Sequence, residues 1–131
     1  MADIPTEFSR DGMKICCTHD RIYLIGGMFG DQRVTEYNPR ENTWRSLPEL
    51  SYKRDGQHSL CVVDDKIYVI GGKRTKTVEM LDVIRTKPKW RNLADTQNTH
   101  YNSGVVALDN KIYVAGGHST KMVEMYDKDK G

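Results

Sequence analysis

Apolar residues in this chain come in short runs bounded by polar pairs, prolines or glycines, and no stretch holds a helical period over three or more turns. Three runs are apolar at successive positions and stop on a glycine pair: Ile22-Tyr23-Leu24-Ile25-Gly26-Gly27, Ile67-Tyr68-Val69-Ile70-Gly71-Gly72 and Ile112-Tyr113-Val114-Ala115-Gly116-Gly117. Runs of this kind predict strands buried on both faces. Each is preceded by a second apolar segment: Ile15-Cys16-Cys17, Leu60-Cys61-Val62-Val63 and Val105-Val106-Ala107-Leu108. The polar pairs between them (His19-Asp20, Asp64-Asp65, Asp109-Asn110) tolerate the positive φ angles of a two-residue hairpin.

The first glycines of the pairs stand at 26, 71 and 116, a period of 45 residues. Within each period a third segment follows: Val34–Asn38, Val78–Asp82, Val123–Asp127. A fourth, Thr43-Trp44-Arg45-Ser46-Leu47, is answered by Lys89-Trp90-Arg91-Asn92-Leu93. Four short antiparallel strands in about 45 residues make one blade of a β-propeller, so the fold class is all-β. Recurrence also assigns Tyr23, Tyr68, Tyr113, Trp44 and Trp90, with Tyr37 and Tyr126, to packing between blades. High burial is expected at the three Ile-Tyr tyrosines and at Ile25, Ile70 and Ala115.

These residues resemble the kelch repeat: a glycine pair after an Ile-Tyr strand, a Val-Glu-x-Tyr-Asp segment, then a tryptophan. Thr35 stands where repeats two and three carry Glu79 and Glu124, and Leu81 replaces the tyrosine seen at 37 and 126. The chain divides into residues 1–12 (end of a preceding blade and its link), 13–50 (repeat one), 51–98 (repeat two) and 99–131 (a partial repeat three without its outer, tryptophan-bearing strand). Residues 4–12 echo 47–56, and residues 1–8 resemble the tail of a fourth strand, with Ala2 near the place of its tryptophan. Three blades do not close a ring, since propellers use four to eight. The expectation is half of a six-bladed, kelch-type propeller. Either the remaining blades belong to a longer chain, or copies associate head to tail through open faces and the unpaired strand at Val123–Tyr126.

Composition changes this picture little. With 20 Lys and Arg against 18 Asp and Glu, the net charge of +2 gives no footprint for nucleic acid. No segment is long and apolar enough to span a membrane, and no secretory signal is evident. Three cysteines are read as small hydrophobes in a reducing, cytoplasmic setting, with a Cys16–Cys61 disulfide or metal pair as the alternative. An enzyme needs converging acids, bases, nucleophiles or ligands. His19, His58, His100 and His118 form no spaced ligand set, Glu79 and Glu124 read as structural hydrogen-bond partners, and the glycine pairs precede no helix that would hold a phosphate. No catalytic residue, metal or cofactor is expected.

In an up-and-down blade the loops between second and third strands share one face with the blade-to-blade links. The non-repeating residues there are Arg10, Phe29, Arg33, Tyr52, Lys53, Arg54, Lys73, Arg74, Lys76, Tyr101, His118 and Lys121. Basic and aromatic side chains together suit an acidic protein or peptide segment. The kelch resemblance implies a non-catalytic substrate receptor of a cullin-based ubiquitin ligase, of the type that follows a BTB domain. Its alternative within the family is an actin-binding, cytoskeletal scaffold.

Overall fold

The computed structural model describes residues 3–118 and 120–127. The expectation placed on Ala2 therefore lies outside the described residues. Among the described residues, eleven strands form three antiparallel sheets. The first holds β1 (Lys14–Thr18), β2 (Arg21–Ile25), β3 (Val34–Asn38) and β4 (Thr43–Leu47). The second holds β5 (Ser59–Val63), β6 (Lys66–Ile70), β7 (Val78–Asp82) and β8 (Arg91–Leu93). The third holds β9 (Gly104–Leu108), β10 (Lys111–Ala115) and β11 (Val123–Asp127), with three strands among the described residues. Each sheet runs in chain order, the simplest up-and-down meander. The one helical element among the described residues is a 3-10 turn at Thr6–Phe8. Among the described residues no helix is long and apolar enough to cross a membrane.

The hairpins form as their turn residues dictate. His19 and Asp20 take φ of 54° and 61°, Asp64 and Asp65 51° and 59°, Asp109 and Asn110 51° and 63°. Two successive left-handed residues match the right-handed twist of the flanking strands. The registers are equivalent as well, Cys16 opposite Tyr23 and Cys61 opposite Tyr68.

Burial shows how the blades stack. One apolar cluster joins Tyr23, Ile25, Val34 and Leu50 to Ile67 and Val69, sealing blade one onto blade two. A second joins Cys61, Tyr68, Ile70, Val78 and Met80 to Ile112 and Val114, sealing blade two onto blade three. Strands β1, β5 and β9 lie side by side, as the innermost strands of consecutive blades do. Among the described residues the three sheets do not close into a ring.

The open end of blade three corrects two expectations. Tyr113 is only half-buried and Ala115 is exposed, whereas Tyr23, Tyr68, Ile25 and Ile70 are buried. Alternation on β10 points Ile112 and Val114 at blade two and turns Tyr113 and Ala115 outward. With no next blade in these residues, Val106, Leu108, Val123 and Met125 share that outward, exposed face. Trp44, Trp90, Tyr37 and Tyr126 are likewise only partly buried.

The N-terminal segment behaves as a link rather than as a strand. Phe8 stacks on Trp44 with ring centroids 5.8 Å apart, and the Arg33 guanidinium donates to the Glu7 carbonyl at 2.9 Å. Residues 3–8 thus cover blade one of their own chain and make no strand. The cysteines are free thiols, Cys61 buried, Cys16 half-buried and Cys17 exposed. No disulfide joins Cys16 to Cys61, and burial pushes the Cys16 thiol up to about 12. Cys17, adjacent to Cys16 on β1, points the other way and is no core residue.

Candidate partner-binding face

Each loop between second and third strands is tied to the link entering its own blade. The Met28 N–H donates to the Asp11 carbonyl at 2.9 Å, Lys73 N–H to Arg54 O at 3.4 Å, and His118 N–H to Tyr101 O at 3.1 Å. Further bonds run between neighbouring blades. Gly30 N–H donates to Asp55 Oδ1 at 2.7 Å, Gly72 N–H to His100 O at 3.0 Å and Asn102 N–H to Gln57 O at 3.0 Å. Links and loops therefore form one hydrogen-bonded surface, whose side chains are held in register by backbone.

Beneath it lies a device used three times. Arg10 donates from Nε to Gly26 O at 2.8 Å and from Nη1 to Thr35 Oγ1 at 3.3 Å. Arg54 donates to Gly71 O at 2.6 Å, to Thr77 O at 2.8 Å and to Glu79 Oε2 at 2.9 Å. His100 places Nδ1 2.8 Å from Gly116 O and Nε2 2.5 Å from Glu124 Oε2. In every blade a basic link residue clamps the carbonyl that ends the second strand and the side chain at the second position of the third. The glycine turns its carbonyl toward the clamp because its φ is positive, +66° at Gly71. A Cβ there would sit 2.1 Å from the His100 carbonyl oxygen.

This clamp overturns two site expectations. Arg54 is 1% exposed, and the Arg10 side chain is almost as enclosed, so neither presents its charge to a partner. Burial lowers both guanidinium pKa values, opposed by Glu79 at Arg54 and by Asp31 at Arg10. The recurrence of Arg10-Asp11-Gly12 as Arg54-Asp55-Gly56 was the available signal, since a residue repeated blade after blade is a packing residue. Glu79 also accepts from Ser51 N–H, and Glu124 accepts from Gln97 and Asn98 N–H. Burial works to raise the Glu124 carboxyl, but these bonds and His100 outweigh it and hold it below its ordinary value.

The other side chains of the face reach solvent to different degrees. Phe29, at φ 57°, projects from the first loop 90% exposed, beside the exposed Met28. The Lys53 stem packs over Gly30. Lys73, Arg74 and Lys76 are exposed on the second loop, Arg74 at φ 62°. On the third, the rings of Tyr101 and His118 stack 5.0 Å apart, and Lys121 is exposed. Tyr52 is half-buried against the Arg54 guanidinium. Arg33 is exposed but held by Asp31 at 2.7 Å; their hydrogen bond lowers the Asp31 pKa and raises that of Arg33. Met28, on the same loop, adds an exposed apolar side chain to this face.

The Kelch motif family model matches residues 9–51, 56–97 and 99–131. This chain belongs to the kelch-repeat family. It is 31% identical over 101 residues to human Kelch-like protein 23, a match covering 71% of this chain and 17% of that protein. It is 37% identical over 67 residues to Kelch repeat and BTB domain-containing protein 2 of Ectromelia virus, covering 49% and 12%. An F-box/kelch-repeat protein of Arabidopsis thaliana is 35% identical over 80 residues, covering 56% and 20%. The matched region is thus a fifth or less of each relative. Kelch repeats are protein–protein interaction modules, and this chain carries three of them.

Proposed function

We propose that this kelch segment is the non-catalytic substrate-recognition part of a cytoplasmic adaptor for a cullin-based ubiquitin ligase, and that it binds acidic segments through its loop-and-link face. The observation that carries the reading is Lys73, Arg74 and Lys76, exposed on one face with the solvent-facing Phe29, on loops fixed by backbone hydrogen bonds. A rigid mount lowers the ordering cost of binding, and arginine and aromatic side chains are frequent hot-spot residues. Lys53, Arg33, Tyr52, Tyr101, His118 and Lys121 complete the contact set. Two relatives with F-box or BTB in their names support the ligase reading. The test is affinity capture with the 131-residue chain and with Lys73→Glu/Arg74→Glu. Acidic partners should be lost from the double variant while its denaturation profile stays unchanged. Capture unchanged by that variant but lost on substituting His19 and Arg40, on the opposite face, would overturn the reading. Co-sedimentation with actin filaments would instead favour the cytoskeletal alternative.

A further inference from the structure

The Phe29 ring has a conformation and a position that packing does not explain. Residues 28–31 form a tight turn in which Asp31 N–H donates to Met28 O at 3.2 Å, with φ of 57° at Phe29 and 74° at Gly30. Two successive positive φ angles suit Asn-Gly or Asp-Gly, and a bulky side chain at the first of them is an outlier. The ring buries nothing in return, since it is almost wholly exposed. The loop is held by its backbone instead, through Gly30 N–H on Asp55 and Met28 N–H on the Asp11 carbonyl. Strain kept at an exposed aromatic argues for a ligand contact.

The counterpart of Phe29 in blade two is Arg74. Each stands three residues after the first glycine of its pair, and both are left-handed, with φ of 57° and 62°. One loop tip is thus an aromatic ring and the next a guanidinium, both exposed. The exposed Lys53 belongs to the link between the two blades, and its stem packs on Gly30. Met28 lies over Gly12 and Gly56 and gives the ring an apolar neighbour. We infer that the two tips read an extended partner segment in which an apolar side chain and a carboxylate stand three residues apart. The inference rests on the acidic-segment reading above and adds the apolar anchor and its spacing. Packed sheets lie roughly 10 Å apart, which three extended residues span at about 3.3 Å each. The apolar side chain, leucine or aromatic, lies on Phe29 and Met28 while the carboxylate meets Arg74 and Lys53. An acidic segment without the anchor is held by exposed charges alone, which salt screens.

The probe is a fluorescent heptapeptide with leucine at its centre, glutamate at both ends and serines between. Either chain direction then places the two side chains three apart. It is titrated into the 131-residue chain by anisotropy and by amide NMR. Saturable binding is expected, with the largest shifts at residues 28–30 and 73–76. Replacing the leucine by serine, or moving it next to one glutamate, should weaken binding at least fivefold. Phe29→Gly should bring the leucine peptide down to the level of the serine peptide and leave the serine peptide unchanged. Its thermal midpoint should stay the same or rise, because glycine takes the positive φ without strain; a Phe29 that served packing would lower it instead and overturn the inference. Equal binding of the leucine and serine peptides, both still weakened by Lys73→Glu/Arg74→Glu, would overturn this inference alone. Binding indifferent to that double variant would overturn the acidic-segment reading and this inference with it.

Discussion

Arg54 and Glu79, 1% and 0% exposed at their side chains, form an ion pair whose desolvation is repaid only while every partner stays in place. Arg54→Ala leaves a buried carboxylate facing an empty site. We expect a loss of about 3–5 kcal/mol in denaturant unfolding, against less than about 0.5 kcal/mol for Arg74→Ala on the exposed loop. A charge reversal at Arg54 is therefore a folding mutation, and binding must be probed at Arg74. His58 carries a second residue-scale prediction. Its buried Nε2–H donates to Ile25 O at 3.0 Å, and its Nδ1 has no hydrogen-bond partner. Burial first, then Arg54 and Lys14, lowers its pKa from 6.5 to about 4 against the pull of the Ile25 carbonyl. The unfolded chain therefore takes up the proton first as pH falls. The stability is whole above about 6.5 and drains away toward about 4, a loss of roughly 3 kcal/mol. Glu124, also lowered, extends the loss below its ordinary value of 4.5. Urea midpoints across this range should fall with acid in the native chain, and His58→Gln should flatten the upper part of the profile.

At the scale of the element, one glycine motif has different consequences in different blades. Gly71 and Gly116 have the same φ within a degree, +66° and +65°. A Cβ on Gly71 meets the His100 carbonyl carbon and oxygen, whereas on Gly116 it meets only Thr120 O at 3.7 Å. Gly116→Ala should cost about 1–2 kcal/mol, the left-handed penalty alone. Gly71→Ala must also push back the link that joins blades two and three, and we expect a loss at least twice as large by thermal or denaturant unfolding. Equal losses would show that the link yields freely, and that the clamp beneath the binding face is soft.

For the whole molecule, the decisive quantity is uncovered apolar surface. Val106, Leu108, Val123 and Met125 form an exposed patch on blade three, and Ile15 is exposed on blade one. A patch of this kind beside a strand that is an edge among the described residues seeks cover. The two open ends differ, so association between copies is heterologous and either closes into a ring or polymerises. We expect the isolated chain to associate in sedimentation across a concentration series, and Leu108→Lys/Met125→Lys to shift it toward the 15.0 kDa monomer. A wild-type monomer at high concentration would refute this.

The linear pattern by itself determined the blade. Hairpin pairs that favour positive φ, glycine-ended apolar strands and a 45-residue period are local and repeated, so they carry strand order and register without reference to anything distant. The acceptor role of Glu79 and Glu124 was legible for the same reason, through equivalence of position. Burial at the open end was not, because Tyr113 and Ala115 share their strand pattern with Tyr23 and Ile25 and differ only in lacking a blade against them. Nor was the fate of each charge on the binding face. Arg54 and Arg74 both sit in polar segments of similar composition, yet one points inward to Glu79 and the other to water. The Arg54 guanidinium is buried where three acceptors converge on it from the end of β6 and the start of β7. That convergence belongs to the folded chain, not to any stretch of its sequence.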